Sequence, residues 1–120
     1  MSKPTSNQPS QIADLKNRYP DVDTLNRADI VYELAGRIGC SQRAANDMVV
    51  GLMGVMTDAF LADFGIEFRG FGAFRPVRLE ERTIFHPVYQ VTKKVPARWT
   101  VRFRVSKFVR KMLLEVQRGD

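Results

Sequence analysis

Residues 41–62 constrain this chain more than any other stretch. Ser41 is a good helix N-cap, and apolar side chains recur behind it at Ala45, Val49, Leu52, Met53, Met56 and Phe60. Met48, Val55 and Ala59 stand beside them. The resulting stripe is wider than a single partner helix needs, so the helix must be covered on more than one side. The whole chain has 120 residues, enough for one domain. A domain of this size buries only about 60–70% of its unfolded surface. A second copy of the chain is the simplest cover. The methionines Met48, Met53 and Met56 would also suit an adaptable binding groove, but at helical spacing they read as core.

The flanking segments supply the rest of an α+β chain. Asn26 caps an earlier helix with Ile30, Leu34 and Ile38 inward, and Gly39 ends it. From Gly65 the period changes to two: Ile66 and Phe68 alternate with Glu67 and Arg69 before a tight turn at Gly70-Phe71-Gly72. A second strand begins near Ala73. The third is the clearest, with Ala97, Trp99, Val101, Phe103 and Val105 apolar and Arg98, Thr100, Arg102 and Arg104 polar between them. Such alternation predicts a half-buried strand whose outer face is positive. Ser106 then caps a last helix with Phe108, Val109, Met112, Leu113 and Val116 inward. The predicted order is α-α-β-β-β-α. Residues 83–95, between the second and third strands, have no periodic apolar set and carry Lys93 and Lys94. They are expected to form a two-stranded ribbon that leaves the body. Residues 1–25 read as a disordered or weakly helical extension, with one helical turn at residues 12–17 stopped by Pro20.

Charge is distributed unevenly. Residues 1–70 hold 7 Lys/Arg against 9 Asp/Glu, whereas residues 71–120 hold 12 against 4. A small domain with one strongly basic half is expected to meet a polyanion. An anionic membrane surface would call for a basic amphipathic helix, but here the basic residues lie mostly on strands. A lone cysteine, Cys40, excludes an internal disulfide framework and fits a reducing compartment, and no signal-peptide pattern is present. An enzyme is not expected. His86 is the only histidine, and the adjacent carboxylates Glu80 and Glu81 would point to opposite faces of a strand. Asp21-Val22-Asp23 lacks the further ligands of a calcium loop. No cofactor, metal or small-molecule substrate is implied.

At Gly70-Phe71-Gly72-Ala73-Phe74, followed by His86-Pro87, the sequence resembles the HU/integration-host-factor family of bacterial histone-like proteins. The resemblance runs from about residue 26 to 114. It includes the Gly39-Cys40-Ser41 link, Arg82-Thr83 at the arm base, prolines at 87 and 96, and Phe103 followed by Arg104. It implies residues 26–120 as the DNA-binding domain of an intertwined dimer, with a helical base, a β-sheet saddle and protruding β-ribbon arms. A homodimer is expected, with a heterodimer as the alternative. The implied function is architectural: binding and bending duplex DNA through the minor groove with low sequence specificity, in the cytoplasm and on the nucleoid. A site-specific or partner-directed assembly factor of the same fold is the alternative.

On this reading the DNA-binding residues fall into three groups. Arg75, Arg78, Arg82, Arg98, Arg102 and Arg104 on the strands contact phosphates. Phe85, His86, Pro87, Lys93 and Lys94 belong to the arm, and Lys107, Arg110 and Lys111 hold flanking DNA. Family arms carry Arg-Asn before the tip proline and Thr-Gly shortly after it, where this chain has Phe85-His86 and Tyr89-Gln90. Loss of the glycine puts strain on the tip turn, and Phe85 and Tyr89 add aromatic surface beside Pro87. Arg69-Gly70-Phe71-Gly72 also resembles the start of an RNA-recognition motif, but Ala73 interrupts its aromatic run and the required upstream strand is helical.

Overall fold

A computed structural model of the chain describes residues 9–118. Its elements are α1 (Pro9–Arg18), α2 (Arg27–Ile38), α3 (Gln42–Leu61), β1 (Ile66–Phe68), β2 (Gly72–Leu79), β3 (Arg82–His86), β4 (Val91–Val95), β5 (Arg98–Val105) and α4 (Lys107–Arg118). They group into two compact units that divide within α3, between Met53 and Gly54.

The first unit is helical. At the start of α2 the Asn26 side chain accepts from the Asp29 amide (2.9 Å), and the Asp29 carboxylate accepts from the Asn26 amide (3.1 Å), a reciprocal capping box. Gly39 takes φ 80° and closes α2 by donating to the Ala35 carbonyl, as the sequence leads one to expect. Ser41 Oγ accepts from the Ala44 amide and starts α3. Val31, Ala35 and Ala45 form the buried centre, with Leu34, Cys40 and Val49 packed against it. These three are the only buried apolar residues among those described.

Helix α1 exceeds the single turn expected at residues 12–17. It begins at Pro9, whose fixed φ and missing N–H suit a first helical turn. Residues 9–11, ahead of the expected turn, are also helical, and residues 1–8 lie outside the described ones. Its C-terminal end is tied to α2: both Arg18 nitrogens Nε and Nη2 donate to the Glu33 carboxylate, and the Tyr19 hydroxyl donates to Glu33 Oε2 at 3.0 Å. Sequence periodicity does not register such a lateral tie.

In the second unit β1, β2 and β5 form an antiparallel sheet in the order β1-β2-β5, and β3 pairs with β4 as a separate two-stranded ribbon. The β2–β5 ladder is continuous from Gly72↔Val105 to Leu79↔Arg98. It breaks at Glu80-Glu81 on one strand and Pro96-Ala97 on the other, where Pro96 offers no N–H to a ladder. At its lower end four phenylalanines cluster: Phe74 lies 4.6 Å from Phe103 and 6.3 Å from Phe68 between ring centroids, and Phe103 lies 5.6 Å from Phe71. Phe60, near the end of α3, joins them at 6.1 Å from Phe74.

The Gly70-Phe71-Gly72 turn has two distinct glycine requirements. Gly70 has φ 83°, a left-handed conformation that costs other residues strain. At Gly72 an added Cβ would lie 2.6 Å from both the Arg104 carbonyl oxygen and the Phe103 ring. Gly72→Ala must therefore push apart β2 and β5 or displace the aromatic cluster. It is expected to lower stability by about 1–3 kcal/mol, read as a reduced urea midpoint.

The tie from α1 generates a second expectation. Hydrogen bonding from Arg18 holds the Glu33 carboxyl below its ordinary range, and the Tyr19 hydroxyl adds to this. A carboxyl depressed in the folded state contributes stability above its unfolded value and loses it as pH falls through the folded one. Docking of α1 is thus expected to weaken below the ordinary carboxylate range, seen as selective loss of α1 resonances' helical shifts by NMR. Glu33→Gln is expected to weaken docking at neutral pH and remove that acid transition.

Candidate nucleic-acid interface

The β2–β5 register sorts the basic residues. Cross-strand partners share a face, and successive residues alternate between faces. Ala73↔Arg104, Arg75↔Arg102, Val77↔Thr100 and Leu79↔Arg98 therefore lie on one side, and Phe74↔Phe103, Pro76↔Val101 and Arg78↔Trp99 on the other. Arg75, Arg98, Arg102 and Arg104 are brought together on a single exposed face. Arg78 is not brought into this group. It shares the apolar face with Trp99, which is exposed at its end of the sheet. The odd spacing between residues 75 and 78 carries this separation in the sequence itself.

Beyond the break, the ribbon continues the basic surface. Arg82, Ile84 and His86 share one ribbon face with Val95, Lys93 and Val91, and Thr83 and Phe85 share the other with Lys94 and Thr92. Lys93 and Lys94 thus present their ammonium groups on opposite sides. Residues 87–90 make the tip turn. Gln90 occupies the left-handed region with φ 52°, so the turn closes without the glycine that would relieve it. Pro87 begins the turn, and its ring fixes φ there at about −65°.

A third cluster forms where α4 starts. The Ser106 hydroxyl accepts from the Val109 amide (3.2 Å) and donates to the Gly70 carbonyl (3.0 Å), while the Ser106 amide donates to the Phe71 carbonyl (2.9 Å). The β1–β2 turn and the head of α4 are thereby locked together. The open cleft beside this junction is lined by Arg69, Arg104, Lys107 and Arg110, with Glu67 as the acidic member. The amides of the first helical turn and the dipole favour an anion here. Sequence patterning does not single out Arg69; its place directly before Gly70-Phe71-Gly72 is the available signal. Lys111 lies one residue beyond Arg110 on α4 and is exposed.

Electrostatics at the arm base are not uniformly positive. Lys94 Nζ pairs with Glu81 Oε1 at 2.9 Å, both groups being solvent-exposed. An exposed pair of this kind contributes about 0–1 kcal/mol. Glu81 therefore competes with an external phosphate for Lys94. Glu81→Gln is expected to raise affinity for duplex DNA by about two- to fivefold at low salt, measured by fluorescence anisotropy. The gain should vanish in a Lys94→Gln background.

The geometry is thus a positive sheet face, a basic ribbon with an apolar end, and a cationic cleft at a helix start. It suits an extended polyanion rather than an enclosed small ligand. No group of three or more metal-ligating side chains occurs among the described residues. Residues 25–113 match the family model described as Bacterial DNA-binding protein. The chain is 28% identical over 95 residues to integration host factor subunit alpha of Zymomonas mobilis subsp. mobilis, covering 79% of this chain and 95% of the relative. Its fold is similar to that of Anabaena HU in a cocrystal with DNA, with a TM-score of 0.66 at 18% identity, covering 74% of this chain and 97% of the other.

Proposed function

Because the chain belongs to the HU/integration-host-factor family of bacterial DNA-binding proteins, we propose that it acts on the nucleoid as an architectural protein that bends duplex DNA with little sequence preference. The observation that carries this reading is the register of β2 against β5, which gathers Arg75, Arg98, Arg102 and Arg104 on one exposed face. Guanidinium groups at such positions engage phosphates, fix orientation and read no bases. Arg82, Lys93 and Lys94 extend the track along the arm, and Arg69, Lys107, Arg110 and Lys111 hold flanking duplex. Arg78, on the opposite face, contributes at most to the field.

Bending follows from dimensions. Paired strands are about 4.8 Å apart before side chains are counted, and the minor groove is only about 6 Å wide. The ribbon enters by widening the groove, and an apolar tip at Pro87 holds the opened step, with Phe85 and His86 beside it. Five residues of β3 at about 3.3 Å each reach far enough to pass a duplex edge.

The working form is a dimer of two copies of this chain. In one copy Met48, Val50, Leu52, Met53 and Val55 of α3 are all exposed. With three buried apolar residues among those described, one copy has no core able to offset its ordering entropy. A second copy covers these side chains.

One observation favours a second reading, in which the same fold is directed to particular sites by a partner. Helix α1 precedes residues 25–113 and is held to α2 through Arg18, Tyr19 and Glu33. It is an ordered addition to the fold and offers a surface for such a partner.

Affinity for random and defined duplexes, with and without residues 1–25, separates the two readings; equal affinities throughout favour the general binder. Neutralising ~8 phosphates per dimer gives a log–log salt slope near −7. Arg102→Ala is expected to make that slope shallower by about one for each phosphate it no longer neutralises. Pro87→Ala is expected to reduce the bend angle measured by FRET while leaving the slope unchanged.

A further inference from the structure

The ribbon ends in more apolar surface than its own folding uses. Phe85 is 60% exposed, Val88 82% and Tyr89 72%. Single exposed apolar residues are ordinary. Here they are grouped at the end of a two-stranded ribbon that has no core of its own and whose remaining length carries Arg82, Lys93 and Lys94. A group of this kind on a charged support marks a contact surface.

Its geometry is specific. Phe85 shares a ribbon face with Thr92, and His86 shares the other with Val91. The Tyr89 ring lies 5.8 Å from the His86 ring at an interplanar angle of 58°. Aromatic rings therefore flank the ribbon on both faces, with Pro87 and Val88 between them at the end. The cations nearest in sequence, Arg82 and Lys93, belong to the strands behind the tip, so the tip carries no lysine or arginine of its own.

Resting on the DNA-binding reading above, we propose that Phe85 and Tyr89 form a two-sided aromatic wedge that stacks on bases unstacked by the arm. Pro87 alone offers one small apolar face. Rings on both sides give each base exposed at an opened step a π-surface to rest on. Stacking is tolerant of base identity because every base has a π-face. It also adds affinity without releasing counterions, so its contribution is independent of salt.

That independence distinguishes the wedge from the phosphate contacts. The experiment uses the full chain and a matched duplex with 2-aminopurine at successive positions, read by fluorescence, together with anisotropy titrations over a range of salt. The wild type is expected to raise 2-aminopurine fluorescence at one or two steps. Phe85→Ala and Tyr89→Ala are each expected to diminish that rise and to weaken binding by about tenfold at every salt concentration, with the slope unchanged. Tyr89→Phe is expected to retain both signals. Lys93→Gln, by contrast, is expected to change the slope. Both tip side chains are exposed, so the variants are expected to fold, which circular dichroism checks. Tight, salt-dependent binding with an undiminished fluorescence rise in both alanine variants overturns the wedge and leaves the DNA-binding reading standing. Absence of salt-dependent binding by the wild type overturns that reading, and the wedge with it.

Discussion

Antiparallel pairing of β2 with β5 is the constraint on which the remaining structure depends. Its eight partnered positions settle which side chains share a face, and a shift of one residue would exchange the arginine face for the aromatic one. Two features hold the register. Gly72 admits the Arg104 carbonyl and the Phe103 ring where no Cβ fits. Phe74 packs against Phe103, its own cross-strand partner, and against Phe60 of α3. The same ladder launches the ribbon, since β3 and β4 continue from the two strands just beyond the break. Positive face, arm and aromatic cluster are consequences of a single alignment.

Apolar side chains far outnumber the buried positions that one copy provides. The first unit buries Val31, Ala35 and Ala45, while much of α3 and the side chains Phe108, Leu113, Leu114 and Val116 of α4 stay exposed. For a DNA-binding protein this has a functional side. In the proposed dimer, association that covers those faces would set two equivalent arms about a two-fold axis.

Acidic residues modulate this basic framework at two points. Glu81 occupies Lys94 at the arm base. Glu33 binds Arg18 and Tyr19, and so takes one guanidinium out of the positive field while ordering α1. The Glu81–Lys94 pair is exposed on both sides and adds little to global stability, whereas the Glu33 side chain is only 16% exposed and its pairing bears on the local docking of α1.

Much of this was legible in residue order. Period-two alternation at residues 97–105 announced β5 and its positive face, and Asn26, Gly39, Ser41 and Ser106 marked helix ends where the structure has them. These are local signals, because capping and strand alternation depend on neighbours a few residues away. The exposed width of α3 was likewise visible as a stripe too broad for one chain. Other features rest on contacts between distant residues. The separation of Arg78 from Arg75 acquires meaning only once Trp99 and Arg102 stand opposite them. Arg69 joins Lys107 and Arg110 only because Ser106 binds the Gly70 and Phe71 carbonyls. The tie that holds α1 to α2 depends on Glu33, fifteen residues beyond Arg18. The sequence by itself determined the elements of residues 26–118, their amphipathic faces and the excess of positive charge; tertiary structure alone decided which charges meet, because long-range pairing, not local propensity, brings them to one surface.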